Sequence, residues 1–191
     1  MTSTISPTDL IRSDIAEMEP YTPIFPFDVL AARLNRRPEE IIKLDANENP
    51  YGPSPRVREA LADLAYINIY PDPESRALRS ALSGFVEVPT ENLLAGAGAD
   101  ELLDLIMRLF LSPGDTILNC PPTFGMYPFD AAISGAGVVS VPRNDDFSLD
   151  IEGIEAAVNE YRPKLVFVTS PNNPDGSWLP DEVLNRLLAL P

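Results

Sequence analysis

Three stretches place residues able to meet an anion or a flat ring directly after apolar, strand-like runs. The first, Gly96-Ala97-Gly98-Ala99-Asp100-Glu101, joins small residues to the start of a helical pattern. Small residues let the backbone approach a ligand, and the free amides and positive dipole end of a helix attract phosphate. In Gly-x-Gly-x-x-Gly register the third glycine would fall on Glu101, and no Gly-Lys-Ser/Thr follows, so neither nucleotide signature is met. A tight strand-to-helix turn capped by acidic residues accounts for the run equally well. The second stretch is Pro121-Pro122-Thr123-Phe124-Gly125-Met126-Tyr127. Its prolines fix a turn that presents Phe124 for stacking on a planar heterocycle, against the competing reading of Phe124 and Tyr127 as ordinary core aromatics. The third, Ser170-Pro171-Asn172-Asn173-Pro174-Asp175-Gly176, holds an asparagine between prolines where it can donate to an oxyanion. The same residues make turns in any protein. Two polar, turn-rich links lie upstream, at 44–54 and 69–73, and say little in isolation.

Composition removes other chemistries. The chain has no histidine and one cysteine, Cys120, so serine-histidine, cysteine-histidine and zinc sites and an internal disulfide are excluded within it. The 29 acidic residues against 14 basic ones give a formal charge of -15, which disfavours nucleic acid and anionic membrane surfaces as partners. No apolar run is long enough to span a bilayer, and Asp9, Asp14, Glu17 and Glu19 stand where a targeting peptide would be basic; a cytoplasmic protein is expected.

The elements that must position these stretches are legible from periodicity. Pro7, Pro20, Pro23, Pro26 and Pro38 predict an extended arm with short helical pieces over 1–40. From 41 to 191 the pattern predicts strands at 41–44, 92–95, 116–119, 138–141 and 165–169. Helices are predicted at 55–65, with Ser54 as N-cap, and at 76–86, 100–111, 124–134, 151–161 and 181–190. Strands alternating with helices at this spacing predict an α/β fold with a mostly parallel sheet flanked by helices. In such sheets ligands sit at the carboxyl ends of the strands, where the three stretches fall.

Taken together, the five segments resemble the class I/II, fold-type I pyridoxal-phosphate aminotransferases, and within them the histidinol-phosphate type. The resemblance runs from about Pro20 to Pro191. It implies that residues 1–40 are an arm on the small-domain side and 41–191 the first portion of the large cofactor-binding domain. It implies pyridoxal 5'-phosphate as cofactor, with Ala99 and Asp100 as backbone donors to its phosphate, Phe124 stacked on its ring and Asn173 bonded to its phenolic oxygen. Tyr70 would reach the partner subunit's cofactor in a homodimer, and Tyr21 and Asn47 match positions near the substrate. The implied reaction is transamination between histidinol phosphate, a phosphorylated amino compound, and 2-oxoglutarate, in histidine biosynthesis. Sister activities are aromatic amino acid transamination and threonine-phosphate decarboxylation. A reading of another class is a non-catalytic fragment that pairs with a full-length homologue; a plain nucleotide-binding domain fails on both glycine signatures.

This sequence departs from the family's pattern in two ways. Asp175 stands where the family usually has threonine. Transamination also needs a lysine amine to hold the cofactor covalently, and the family supplies it well downstream of the asparagine stretch. Only Lys43 and Lys164 occur here, one ahead of a polar link and one at the start of a predicted strand. The expectation is therefore a truncated or split product, inactive alone, with a gap in its sheet and exposed apolar surface.

Overall fold

Along the chain, helices α1 (Ser13–Ala16), α2 (Phe27–Leu34), α3 (Pro55–Ala62), α4 (Arg76–Val86) and α5 (Ala99–Phe110) precede strand β1 (Thr116–Asn119). Helix α6 (Met126–Ile133), strand β2 (Gly137–Ser140), helix α7 (Ile151–Tyr161), strand β3 (Leu165–Val166) and helix α8 (Asp181–Leu188) follow. The computed structural model describes residues 6–20 and 23–191. These divide into two units: Arg76–Pro191 with the described part of Met1–Met18, and Glu19–Ser75.

In the larger unit, β1 lies between β2 and β3 in a parallel sheet of order β2-β1-β3. Thr116 faces Gly137 and Asn119 faces Ser140 on one side, and Ile117 faces Leu165 and Leu118 faces Val166 on the other. Alternation along β1 sends successive side chains to opposite faces, and both faces are covered. Ile117 enters a cluster with Met107, Leu111, Tyr127, Ala131 and Ala136, which belongs to the α5 and α6 side. Leu118 and Cys120 enter a second cluster with Val141, Ile151, Ile154, Ala157 and Val158, built on α7.

The flanking helices have local causes. Helix α6 tolerates Pro128 because it falls in the first turn, where its missing amide has no helical acceptor to lose. Helix α7 starts at Asp150, whose carboxylate accepts from the Gly153 amide at 2.9 Å, and stops at Arg162 in the left-handed conformation. Glycine is required at 153, since a Cβ there would collide with the Asp150 carboxylate. Arg186 of α8 reaches Glu152 at 3.0 Å and Glu155 at 2.8 Å on α7. The start of β3 is clipped by Lys164, which pairs with Asp115 at 2.7 Å and donates to the Phe110 carbonyl at 3.3 Å.

The smaller unit carries α2 and α3. Helix α2 buries Ala31 and ends on Asn35 at φ 49°. Lys43 threads its side chain, 5% exposed, between Asp45 at 3.0 Å and Glu48 at 3.8 Å. Ser54 holds the N-cap position of α3, as the sequence predicts, but its hydroxyl makes no capping bond.

Two predicted strands are not formed. Residues 41–44 are extended, with Ile42 and Leu44 exposed, and no strand among the described residues pairs with them. Residues 92–95 begin with the 3-10 turn Thr90–Asn92 and continue with Leu93 extended and Leu94 exposed. Both have the side-chain character of strands, but a ladder needs a neighbour, and none lies beside them. The predicted 165–169 strand keeps its ladder only at Leu165–Val166, with one further bond from the Phe167 amide to Leu118. Helices α4 and α7 keep their predicted limits, and the ends of α3, α5, α6 and α8 move by one to three residues; α3 ends at Ala62 and α8 at Leu188. Phe85, Leu94 and Leu109 lie 73% exposed or more, which is the apolar surface the sequence leads one to expect. Among the described residues no helix is long and apolar enough to cross a membrane.

Two expectations follow from the core. Ile117→Ala removes a fully buried side chain from the α5–α6 face and should cost about 2–5 kcal/mol in denaturant unfolding of the larger unit. Asp130 of α6 is buried, and its Oδ2 has no hydrogen-bond partner. Burial holds its carboxyl above the usual range, and the negative charges of Asp100 and Asp104 push the same way. A carboxyl so raised supports folding fully below its unfolded-state value and loses that contribution as pH rises through its folded-state value. Asp130→Asn should therefore raise the melting temperature at about pH 8 and change it little at about pH 4. Equal shifts at both would show that the charge is not the cause.

Candidate functional site

Because the three strands are parallel, their carboxyl ends open on one side of the larger unit. The loop after β1 contains Cys120 through Gly125, and the loop after β3 runs from Phe167 through Trp178. Arg143, just beyond β2, donates from Nε to the Cys120 carbonyl at 3.3 Å and from Nη1 to the Phe147 carbonyl at 2.9 Å. Cys120 itself is buried, and desolvation pushes its thiol up to about 11, so it is no nucleophile at neutral pH.

Side chains join the loops after β1 and β3. Thr123 Oγ1 donates to Asn172 Oδ1 at 2.9 Å, and Asn172 Nδ2 donates to the Pro122 carbonyl at 3.2 Å. Asn172 Nδ2 also donates to Asp175 Oδ1. The Ser177 amide donates to Asp175 Oδ2 at 3.0 Å, and the backbone closes the same turn from Asn172 N to Ser177 O at 2.8 Å. The Asp175 carboxyl is held below the usual carboxylate range, most by the Ser177 side chain and then by the Asn172 amide and the Ser177 backbone amide. Tyr127 OH lies 2.7 Å from Thr169 Oγ1, which is 3.4 Å from Thr123 Oγ1. The Pro121-Pro122, Ser170-Pro171 and Asn173-Pro174 peptide bonds are cis.

Around this bridge stand the aromatic residues. Phe124 meets Tyr127 edge to face, with centroids 5.7 Å apart, and Tyr127 stacks on Phe167 at 4.7 Å. Tyr127 is a core aromatic with its hydroxyl satisfied, whereas Phe124 stays half-buried at the rim. Leu103, one turn into α5, packs against the same cluster as Phe124.

The start of α5 leaves backbone amides open. Gly98 takes the N-cap position at φ +89°, which favours glycine, and a Cβ there would meet nothing within 4 Å. No side chain caps α5, and Ala99 and Asp100 are exposed in its first turn, where backbone amides lack helical acceptors. Glu101 turns its carboxylate back to the Ala97 amide, and a side chain at Gly96 would strike that carboxylate at 2.7 Å. Open amides, a half-buried ring face and a half-buried asparagine, Asn173, fit a flat group that carries a phosphate.

The structure thus brings the loop of Phe124 and the Asn173 turn together at the carboxyl ends of the strands. Tyr70 and Asn47 belong to the smaller unit; Tyr70 is 99% exposed and Asn47 is exposed at φ 51°. Tyr21 lies outside the described residues. Sequence reasoning passed over Asn172, 3% exposed, and Thr123 and Thr169, which carry the bridge. Asn172 stood in plain view beside Asn173, but nothing in the sequence says which of two adjacent asparagines points inward.

Comparison with known proteins identifies the family. A model of the family described as aminotransferase class I and II matches residues 39–191. A chloroplastic histidinol-phosphate aminotransferase of Nicotiana plumbaginifolia is 59% identical over 95% of this chain and 44% of its own length. The histidinol-phosphate aminotransferase of Roseiflexus castenholzii is 54% identical over 96% of this chain and 51% of its own length. The crystal structure of histidinol-phosphate aminotransferase from Sinorhizobium meliloti in complex with pyridoxal-5'-phosphate superposes with a TM-score of 0.80 at 30% identity, covering 100% of this chain and 50% of that one. The chain spans about half the length of the relatives it matches. The family match over most of the chain, together with these relatives, makes it a member of the class I and II aminotransferase family.

Proposed function

We propose that this chain supplies the cofactor-binding face of a pyridoxal-phosphate-dependent transaminase that acts on histidinol phosphate and 2-oxoglutarate. The observation that carries the reading is the bridge from Thr123 to Asn172, which sets Phe124 and Asn173 on adjoining loops at the strand ends. Relatives at 54–59% identity bear the histidinol-phosphate name, and a structural relative holds pyridoxal-5'-phosphate.

In this reading the amides of Ala99 and Asp100 bind the phosphate, aided by the α5 dipole and with no cation among them. Phe124 covers one face of the pyridine ring and excludes water from it. Asn173 donates its side-chain amide to the phenolic oxygen and so holds charge at that atom. The bound cofactor supplies the electron sink for transfer of the amino group. Tyr70, almost wholly exposed, is assigned to the partner subunit's cofactor in a homodimer, and its exposure leaves it free for that role. Asn47 and Tyr21 are assigned to the substrate side.

Neither lysine suits the covalent role. Lys164 opens β3 at the end opposite the strand termini and is held by Asp115 and Phe110. Lys43 is enclosed by Asp45 and Glu48 in the smaller unit. The 191-residue chain alone is expected to show no transaminase turnover. Turnover that disappears in Lys43→Ala or Lys164→Ala would overturn this assignment.

Cofactor binding is testable without turnover. Pyridoxamine 5'-phosphate cannot condense with a lysine, and Trp178, the sole tryptophan, reports on the turn five residues from Asn173. Asn173→Ala should weaken binding about tenfold and Phe124→Ala about fivefold in a fluorescence titration, the size of a lost charge-assisted hydrogen bond and a lost ring contact. Unchanged affinity in both variants would remove these residues from the site. Among amino donors, preference of the catalytically complete protein for an aromatic amino acid over histidinol phosphate would move the substrate assignment to the sister activity.

A further inference from the structure

The turn after β3 contains a polar network whose direction can be deduced. Asn172 Nδ2 faces the Pro122 carbonyl and the Asp175 carboxylate, and both can only accept. The amide nitrogen therefore lies on that side, and Oδ1 must face Thr123. Thr123 has one hydroxyl hydrogen and gives it to Oδ1, so any bond from Thr169 to Thr123 must be donated by Thr169. Thr169 has then spent its own hydrogen, which leaves Tyr127 as donor to Thr169. Hydrogen bonds run in one sense, from Tyr127 in the core through Thr169 and Thr123 to Asn172, and from Asn172 to the carboxylate of Asp175.

We propose that Asn172 and Asp175 are positioning residues: together they form a polarised clamp that fixes the loop of Phe124 against the loop of Asn173. This deepens the cofactor-site reading above and rests on it for its consequence on binding. The two amide hydrogens of Asn172 are both used, one within its own turn and one across to a loop 50 residues away. Asp175 uses one oxygen on Asn172 and the other on the Ser177 amide. A threonine at 175 would offer one hydroxyl oxygen in place of two carboxylate oxygens, and because a hydroxyl can donate as well as accept it would not impose the direction that an acceptor-only carboxylate does. The departure of this sequence at 175 thereby gives Asn172 and the Ser177 amide an acceptor oxygen each.

A purely local turn and a clamp differ in what happens at the other loop. Amide hydrogen exchange of the 191-residue chain is followed at 123–125, at 172–177 and, as a control, in α7. Asp175→Ala and the near-isosteric Thr123→Val should each speed exchange about fivefold to tenfold in both loops, the effect of a lost buried hydrogen bond, and leave α7 unchanged. Thr123→Ser keeps the hydroxyl and should restore wild-type exchange; Asp175→Thr should fall between wild type and Asp175→Ala. The same variants should bind pyridoxamine 5'-phosphate about tenfold more weakly, again with rescue by Thr123→Ser. Faster exchange confined to 175–177 in Asp175→Ala would overturn the clamp, as would equal affinities of wild type and Thr123→Val when Asn173→Ala has lost affinity. Absence of binding by the wild-type chain, or full affinity in Asn173→Ala, would instead sink the cofactor reading, with the clamp then judged on exchange alone.

Discussion

The burial of β1 on both faces is the constraint from which the larger unit follows. A four-residue strand has few side chains to spend, yet Ile117 and Leu118 are each fully enclosed, one by the α5–α6 cluster and one by the α7 cluster. Such enclosure requires a helix layer on either side and neighbours on both edges, which only parallel strands with helical crossovers provide. Parallel strands in turn aim all their carboxyl ends the same way. The gathering of the post-strand loops is thus a by-product of core formation, and the site chemistry is laid over it.

The site needs more than proximity. A loop after β1 and a loop after β3 could each adopt several conformations over the same sheet, and hydrophobic packing alone would not choose between them. The choice is made by buried polar groups with few ways to be satisfied. Asn172 is almost wholly enclosed, and its side-chain partners come from its own turn and from a loop about fifty residues earlier. Leaving any of them out would strand a buried donor or acceptor, so the arrangement is specified by the cost of its alternatives.

How much of this was legible in the residues depends on whether the cause was local. Helices α4 and α7 match their predicted limits, because amphipathic spacing and, for α7, the Asp150 cap lie within the segment itself. The helix start after the glycine run at 96–98 was legible for the same reason: small residues leading into an amphipathic pattern lie within the segment itself. The segments at 41–44 and 92–95 have strand composition, but strand identity is conferred by a neighbour, and a sequence window does not contain its neighbour. The same gap hid Asn172 and Thr123, whose importance lies in a bond across about fifty positions. Tyr127 was readable as a core aromatic; that its hydroxyl heads a chain of hydrogen bonds was not.

The return of Glu101 onto the Ala97 amide has a consequence for the site before any ligand arrives. A concave run of backbone amides facing water is poorly held, since each amide can be satisfied in many orientations of the loop. A tethered carboxylate acts as a resident anion that keeps the curvature of 96–98 in place, while Ala99 and Asp100 stay open in the first turn of α5. On the proposed reading, a phosphate would meet a preorganised cradle and would not spend its binding energy on shaping one. The acidic character of this segment, which at first sight should repel an anion, is in part the scaffold that keeps the receptor ready.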